Sequence, residues 1–314
     1  FIYPLNVAEK YTIDILVVDN RTDYTVPSLT QALNSSRIKI ELERLLPCAD
    51  IQVKTRFANA TSIPDLSSVI TESTSPSKHH NTTIVDARPV YYWLNSEGGD
   101  HLRDLFNATG DDSEYYIPVL AFVFTGEYQL GFTFKEDLAQ PPSTSSIWGV
   151  ALGDLVLVSH SSNDLIRGNF TELKQPNKGF GLTQTIIHEI GHMLGLVHPF
   201  RADETQNFVS SVMSYYPYEY RFSRFDRDAL LRGHTDNLVM RTMLELTGMK
   251  PNILNNGLFT SVQQQLEDAE RHYVNMSYRD SLSISMGALK AAKIARNIDS
   301  VLYVVIYALT IVFA

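Results

Sequence analysis

Apolar residues run almost unbroken through Thr12–Asp19 (TIDILVVD), the pattern of a strand covered on both faces. Leu29, Leu33, Ile38, Ile40, Leu42 and Leu46 then recur across Pro27–Leu46, predicting a helix that packs on that strand. Ile51–Phe57 alternates Ile51, Val53 and Thr55 and reads as a second strand, so the chain opens in the strand–helix–strand order of an α/β layer. Tyr116–Thr125 (YIPVLAFVFT) reads as a central strand. Gly126–Ser146, with Pro141, Pro142 and a Ser/Thr cluster, reads as loop, and Ile147–Leu152 and Leu155–Ser159 as two short strands joined near Gly153–Asp154. Between these, residues 58–112 carry a polar run, Thr71–Asn81, and a helix near His101–Phe106; they read as an insertion.

The second half is patterned for helices. One is expected from about Thr183 to Leu194. Ser223-x-x-Asp226 resembles a capping box opening another, which runs to about Leu246 and stops near Gly248. Val262, Leu266, Ala269 and Tyr273 mark a further amphipathic helix. Residues Val301–Ala314 (VLYVVIYALTIVFA) are uncharged and apolar, but fourteen helical residues span only about 21 Å against a hydrocarbon core of roughly 30 Å. The run reads either as a buried terminal element or as a membrane helix that borrows residues upstream or is cut off at 314. Lys290, Lys293 and Arg296 just before it lie on the wrong side for an extracellular ectodomain anchored by a simple span.

Composition narrows the class. The chain has 314 residues, 44% hydrophobic and 19% charged, which suits a folded protein with a sizeable core. The net charge of −9 and the lack of a basic patch argue against a nucleic-acid partner. The single cysteine, Cys48, excludes an internal disulfide framework; it reads as a small buried apolar residue, with a metal-inhibiting thiolate as the bolder alternative. Glycosylation sequons begin at Asn20, Asn34, Asn59, Asn81, Asn107, Asn169 and Asn275, a density that suggests a glycosylated surface and an extracellular or cell-surface location.

Chemistry concentrates in residues 188–198, HEIGHMLGLVH. On a helix, His188 and His192 share one face and can reach one ion, with Glu189 placed to reach a water beside it. Gly195 can take a positive φ and turn the chain sharply, returning His198 as a third ligand. Three neutral imidazoles suit one Zn2+ and leave a fourth position open, the arrangement of a catalytic rather than a structural site. A downstream carboxylate, Glu204 or Glu219, is the alternative third ligand. His79, His80, His101, His160, His234 and His272 lack ligand spacing and read as surface or core residues.

HExxHxxGxxH is the metzincin zinc motif, and the chain resembles that clan of zinc metalloendopeptidases. Ser211-Val212-Met213-Ser214-Tyr215 resembles the methionine turn that lies beneath the metal in metzincins. Pro199 after the third histidine and the SVMSY turn are similar to the serralysin-like branch, and FSRFDRDAL at 222–230 resembles the helix after the turn. The calcium-binding glycine-rich repeats of that branch are missing.

The resemblance implies an α/β (α+β) fold with a twisted, five-stranded, mostly parallel sheet, an active-site helix and a smaller, mostly helical C-terminal part. It implies catalytic subdomains at 1–198 and 199–258; the resemblance ends beyond about residue 250, where the residue pattern gives a helical extension at 259–300 and the apolar segment 301–314, a possible membrane anchor. It implies cleavage of protein or peptide substrates, with Glu189 as general base, Tyr215 as the hydrogen-bond donor to the reacting oxyanion, and substrate lying against an edge strand. By chain order that edge is Ile147, Trp148, Gly149, Val150, Ala151 and Leu152. The competing expectation is a catalytically idle surface or coat protein on the same scaffold.

Overall fold

The computed structural model describes residues 7–21, 29–76, 83–96, 100–106, 115–124, 128–131, 149–152, 155–161, 181–199, 209–214, 220–249, 251–252 and 254–313. They form a mixed α/β protein that divides into two compact units. One comprises Ala8–Leu45 and Ala49–Asp226. The other includes Val7, Leu46–Cys48 and the chain from Arg227 onward.

The first unit is built on a five-stranded sheet. Strand β1 is Lys10–Asn20, and helices α1 (Leu29–Ala32) and α2 (Ser35–Leu45) lead to β2, Asp50–Asn59. The helix expected over Pro27–Leu46 is broken in the middle, because Asn34 caps α2 by accepting a hydrogen bond from the Arg37 amide at 2.9 Å. A 3₁₀ turn (Ala60–Ser62), α3 (Leu66–Glu72), β3 (Thr74–Pro76), β4 (Thr83–Asp86), α4 (Ala87–Leu94) and α5 (Asp100–Phe106) follow. Then come β5 (Tyr115–Phe124), β6 (Tyr128–Gly131), β7 (Gly149–Ala151) and β8 (Val156–Ser161).

The main sheet has the order β2-β1-β5-β8-β7, parallel except for the antiparallel pair β7–β8. A small second sheet, β3-β4-β6, places β6 inside the stretch read as loop from Gly126. Its four residues, YQLG, are too few to show a period of two.

β1 and β5 are buried on both faces, which explains their unbroken apolar runs. Leu16, Val18, Leu120, Phe122, Phe124 and Leu157 turn to one side, where Leu66, Ile70, Val90, Leu94 and Phe106 cover them. The segment expected as an insertion, 58–112, therefore supplies α3–α5 as one covering layer of the sheet. The alternating residues Ile13, Ile15, Val17, Val119 and Val158 face the other side, where α2 packs on β2 and helix α6 (Leu182–Met193) packs on β8 and β7. α6 thus lies beside the sheet edge that ends in β7.

In the second unit, the chain of helix α7 (Arg224–Leu246) continues beyond the division, and α8 (Asn256–Val274) and α9 (Tyr278–Phe313) pack as a helical hairpin. Met276 takes a positive φ of 59° at the turn, and small residues Ala288 and Ala292 let α9 approach Val262 of α8. Cys48 is half-buried against the cluster Leu231, Leu238, Leu282 and Leu289, and burial pushes its thiol up, away from the thiolate that metal inhibition requires. At 36 residues α9 is much longer than the 19-residue α8. Val301, Tyr303, Val304, Val305 and Ile306 are exposed, so the expectation of a buried terminal element does not hold for these residues. No helix among the described residues is long and apolar enough to cross a membrane.

Of the sequon asparagines, Asn34, Asn59 and Asn275 are exposed and Asn20 is half-buried. Asn81, Asn107 and Asn169 lie outside the described residues.

Candidate metal centre

α6 carries the HExxH segment with its sequence-predicted neighbours, and its burial is nearly complete from Leu182 to Gly191. Its N-terminus is closed by Gln184, whose side-chain oxygen accepts from the Gly181 amide at 3.3 Å. Its C-terminus is a Schellman turn: the Gly195 amide donates to the His192 carbonyl and the Leu196 amide to the Gly191 carbonyl, each at 2.9 Å. Gly195 sits at φ 91°, a conformation that a side chain would strain. The chain therefore reverses at once, and His198 comes back alongside the helix.

The three imidazoles meet edge to edge. Nε2 of His192 lies 3.1 Å from Nε2 of His188 and 3.2 Å from that of His198, and the His188–His198 separation is 3.2 Å. Their other nitrogens determine what these atoms are. Nδ1 of His188 donates to the Val212 carbonyl at 2.7 Å, and Nδ1 of His192 to the Leu196 carbonyl at 2.8 Å. A carbonyl can only accept, so each Nδ1 carries the proton and each Nε2 presents a lone pair when the ring is neutral. Burial, then the neighbouring His192 ring, pushes His188 down to about 3; burial and His192 also push His198 down to about 4, and burial lowers His192. At neutral pH all three rings are neutral, and the Nε2 lone pairs of His188 and His192 face the point where Nε2 of His198 also arrives.

Such a cluster repels itself unless a cation sits at its centre. Tetrahedral zinc with Zn–N bonds of about 2.0–2.1 Å sets its ligand nitrogens about 3.3–3.4 Å apart. The observed triangle is within about 0.3 Å of that. Donor type, protonation and spacing all fit a zinc ion with one position left open.

Glu189 follows His188 on the helix and is only 5% exposed. Burial alone pushes its carboxyl up to about 8. Its side chain lies against β7: a Cβ built on Gly149 would stand 2.5 Å from its Cγ and 2.7 Å from its Oε1.

Below the histidines, Ser211–Ser214 forms a tight turn in which the Ser214 amide donates to the Ser211 carbonyl at 3.0 Å. Met213 is fully buried. It fits because position 191 is glycine: a Cβ there would fall on the Met213 sulfur and 2.9 Å from the Phe222 ring. The turn is held from behind by Asp226, 1% exposed, whose Oδ2 accepts from Ser211 Oγ, the Ser223 amide and Ser223 Oγ. Ser223 Oγ accepts in return from the Asp226 amide at 3.1 Å, so Ser223 and Asp226 close the capping box of α7 and anchor the turn together. These contacts tie the turn to the start of α7.

The structure thus brings together His188, His192, His198, Glu189, Gly195, Met213 and Gly149. Val150 and Ala151 continue β7, the last strand in the sheet order among the described residues, and Leu152 donates its amide to the Leu155 carbonyl in the return to β8. Ile147, Trp148 and Tyr215 lie outside the described residues, as do Glu204 and Glu219. Sequence reasoning missed the Val212 and Leu196 carbonyls and the link from Ser211 to Asp226. The capping-box motif was a signal for Asp226, but not for its second partner. Among the other described histidines, His160 is buried with Nε2 2.9 Å from Thr185 Oγ1, and His101 stacks on Trp93; His79 and His80 lie outside the described residues.

No protein-family model and no curated protein sequence matches the chain. Among solved structures, the crystal structure of archaemetzincin from Methanopyrus kandleri is similar over 70% of this chain and 94% of its own, at 15% identity and a TM-score of 0.31. The chemistry of the site therefore rests on its own residues.

Proposed function

We propose that this chain is a zinc-dependent endopeptidase whose metal ligands are His188, His192 and His198. The observation that carries the reading is the convergence of three imidazole nitrogens within 3.2 Å of one another beside a buried glutamate. Zinc bound there supplies Lewis-acid polarisation of a carbonyl and a water whose pKa falls toward about 7. Glu189 would take the proton as the water attacks the scissile carbonyl and hand it to the leaving amine. Tyr215 donates a hydrogen bond to the developing oxyanion. Substrate adds in extended form to β7, which among the described residues pairs only with β8.

His198 as third ligand is favoured over a carboxylate because its Nε2 already stands at ligand distance from the other two. An anomalous-scattering map at the zinc edge tests this; a metal peak away from His198 would remove it. For the reaction, Glu189→Gln should retain one zinc per chain while casein cleavage falls by about 10²–10⁴-fold. A variant that cleaves at the parental rate would sink the assignment of the base. A parent chain that binds zinc yet cleaves nothing, with or without a chelator, would leave the idle surface protein as the reading.

A further inference from the structure

We infer that Gly149 is a positioning residue for Glu189: the missing side chain on β7 sets where the carboxylate lies. The inference rests on the peptidase reading for its functional meaning and on packing for its geometry.

Glycine in a strand weakens it, so its presence calls for a cause. Backbone conformation is not the cause. The described glycines at positive φ are Gly195 and Gly248, and Gly149 is not among them. It pairs with Val158 in regular antiparallel register, where any residue could sit. The cause is space. A Cβ at 149 would meet three atoms of one side chain, Cγ, Oε1 and Cδ of Glu189, at 2.5, 2.7 and 2.9 Å.

The first of these matters most. Cγ is only two bonds from the helix backbone, so a flexible tip cannot swing aside to relieve the clash. Relief requires a different χ1 for Glu189, which carries the carboxylate away from the histidines, or a shift of β7 itself. Val150 and Ala151, next on the same strand, are half-buried and carry side chains without such a conflict. The vacancy is specific to the position facing the glutamate. It brings the carboxylate over the backbone of the strand to which substrate would add, so base and substrate share one wall.

The experiment is Gly149→Ala, read in two ways. In peptide hydrolysis kcat should fall about 10- to 100-fold, with KM within about twofold of the parent and one zinc still bound per chain. A rise in KM alone would make Gly149 a substrate-contact position and overturn the inference. In the metal-free protein the unfolding equilibrium constant should rise about 10- to 100-fold, the cost of overpacking. In a Glu189→Ala background the same change should shift it less than about threefold, because the obstructing side chain is gone. Equal shifts in both backgrounds would overturn the inference. If Gly149→Ala alone does not fold, the double variant should; an unfolded double variant counts against it. A parent that cleaves no peptide would defeat the peptidase reading, while the unfolding cycle still decides whether the two residues are coupled.

Discussion

Asp226 offers the sharpest test of how the centre is supported. It touches no histidine, yet it holds the turn whose Val212 carbonyl orients His188. All three of its accepted hydrogen bonds end on one oxygen in a site 1% exposed. Hydrogen bonds to a charged group contribute about 1.5–3 kcal/mol each, but three on one atom are not additive. The floor is one buried serine hydroxyl left without its acceptor plus the broken capping box. Asp226→Ala should therefore cost roughly 3 kcal/mol, a rise of about 100-fold in the unfolding constant. Loss of outer-shell support typically weakens metal binding 10- to 100-fold, and Asp226 acts through Ser211, so about tenfold is expected. Urea unfolding of the metal-free chain and zinc competition against a chelating dye read the two effects separately. Ser223→Ala is the control: it breaks the cap, at about 1 kcal/mol, and leaves the Ser211 arm in place, so zinc affinity should hold. If Asp226→Ala lowers stability but leaves zinc affinity at the parental value, the turn does not orient His188.

Three further outcomes are expected. Tyr215→Phe should lower turnover about 10²–10³-fold with zinc content near one per chain; unchanged turnover would remove Tyr215 from the mechanism. Val150→Pro should raise KM for long peptides at least several-fold by disrupting the edge backbone, and unaltered cleavage would argue that substrate does not add to β7. His234, 2% exposed, is pushed by burial from an ordinary 6.5 down to about 4. Between those values the unfolded chain binds a proton that the folded chain does not, so its contribution is whole above about 6.5 and is lost as pH falls, by roughly 3 kcal/mol near pH 4. Metal-free His234→Leu should show a flatter urea midpoint between pH 7 and 4 than the metal-free parent; an equal slope would refute the assignment.

The fold was legible where burial is symmetrical. β1 and β5 lie inside the sheet with both faces covered, and continuous apolar runs said so. α7 was legible from local chemistry, since Ser223 and Asp226 cap each other within one turn. β6 was not, because a four-residue strand pairing with a distant strand has no periodicity to display. The part that residues 58–112 play in covering the sheet was not legible for a related reason. Their helices α3, α4 and α5 are only seven or eight residues long, so their apolar positions do not repeat often enough to announce that they cover the sheet.

The site divides along the same line. The three histidines fall within eleven consecutive residues, on one helix and the turn that ends it, so helical spacing and one glycine were enough to place them near a common point. What would fit them to hold a metal comes from further away. His188 owes its tautomer to the Val212 carbonyl, and every residue type carries the same carbonyl. Glu189 owes its packing to an absent side chain forty residues earlier, and glycine in a strand is written the same way whether it serves a bulge or a neighbour's carboxylate. Those two supports act on neighbouring residues of one helix: one orients the His188 nitrogen, and the other sets where the Glu189 carboxylate lies against β7. A sequence that kept HEIGHMLGLVH while losing the glycine at 149 or the acid at 226 would still read as a metal site, yet by this geometry it would hold zinc with a misplaced base, or hold it weakly.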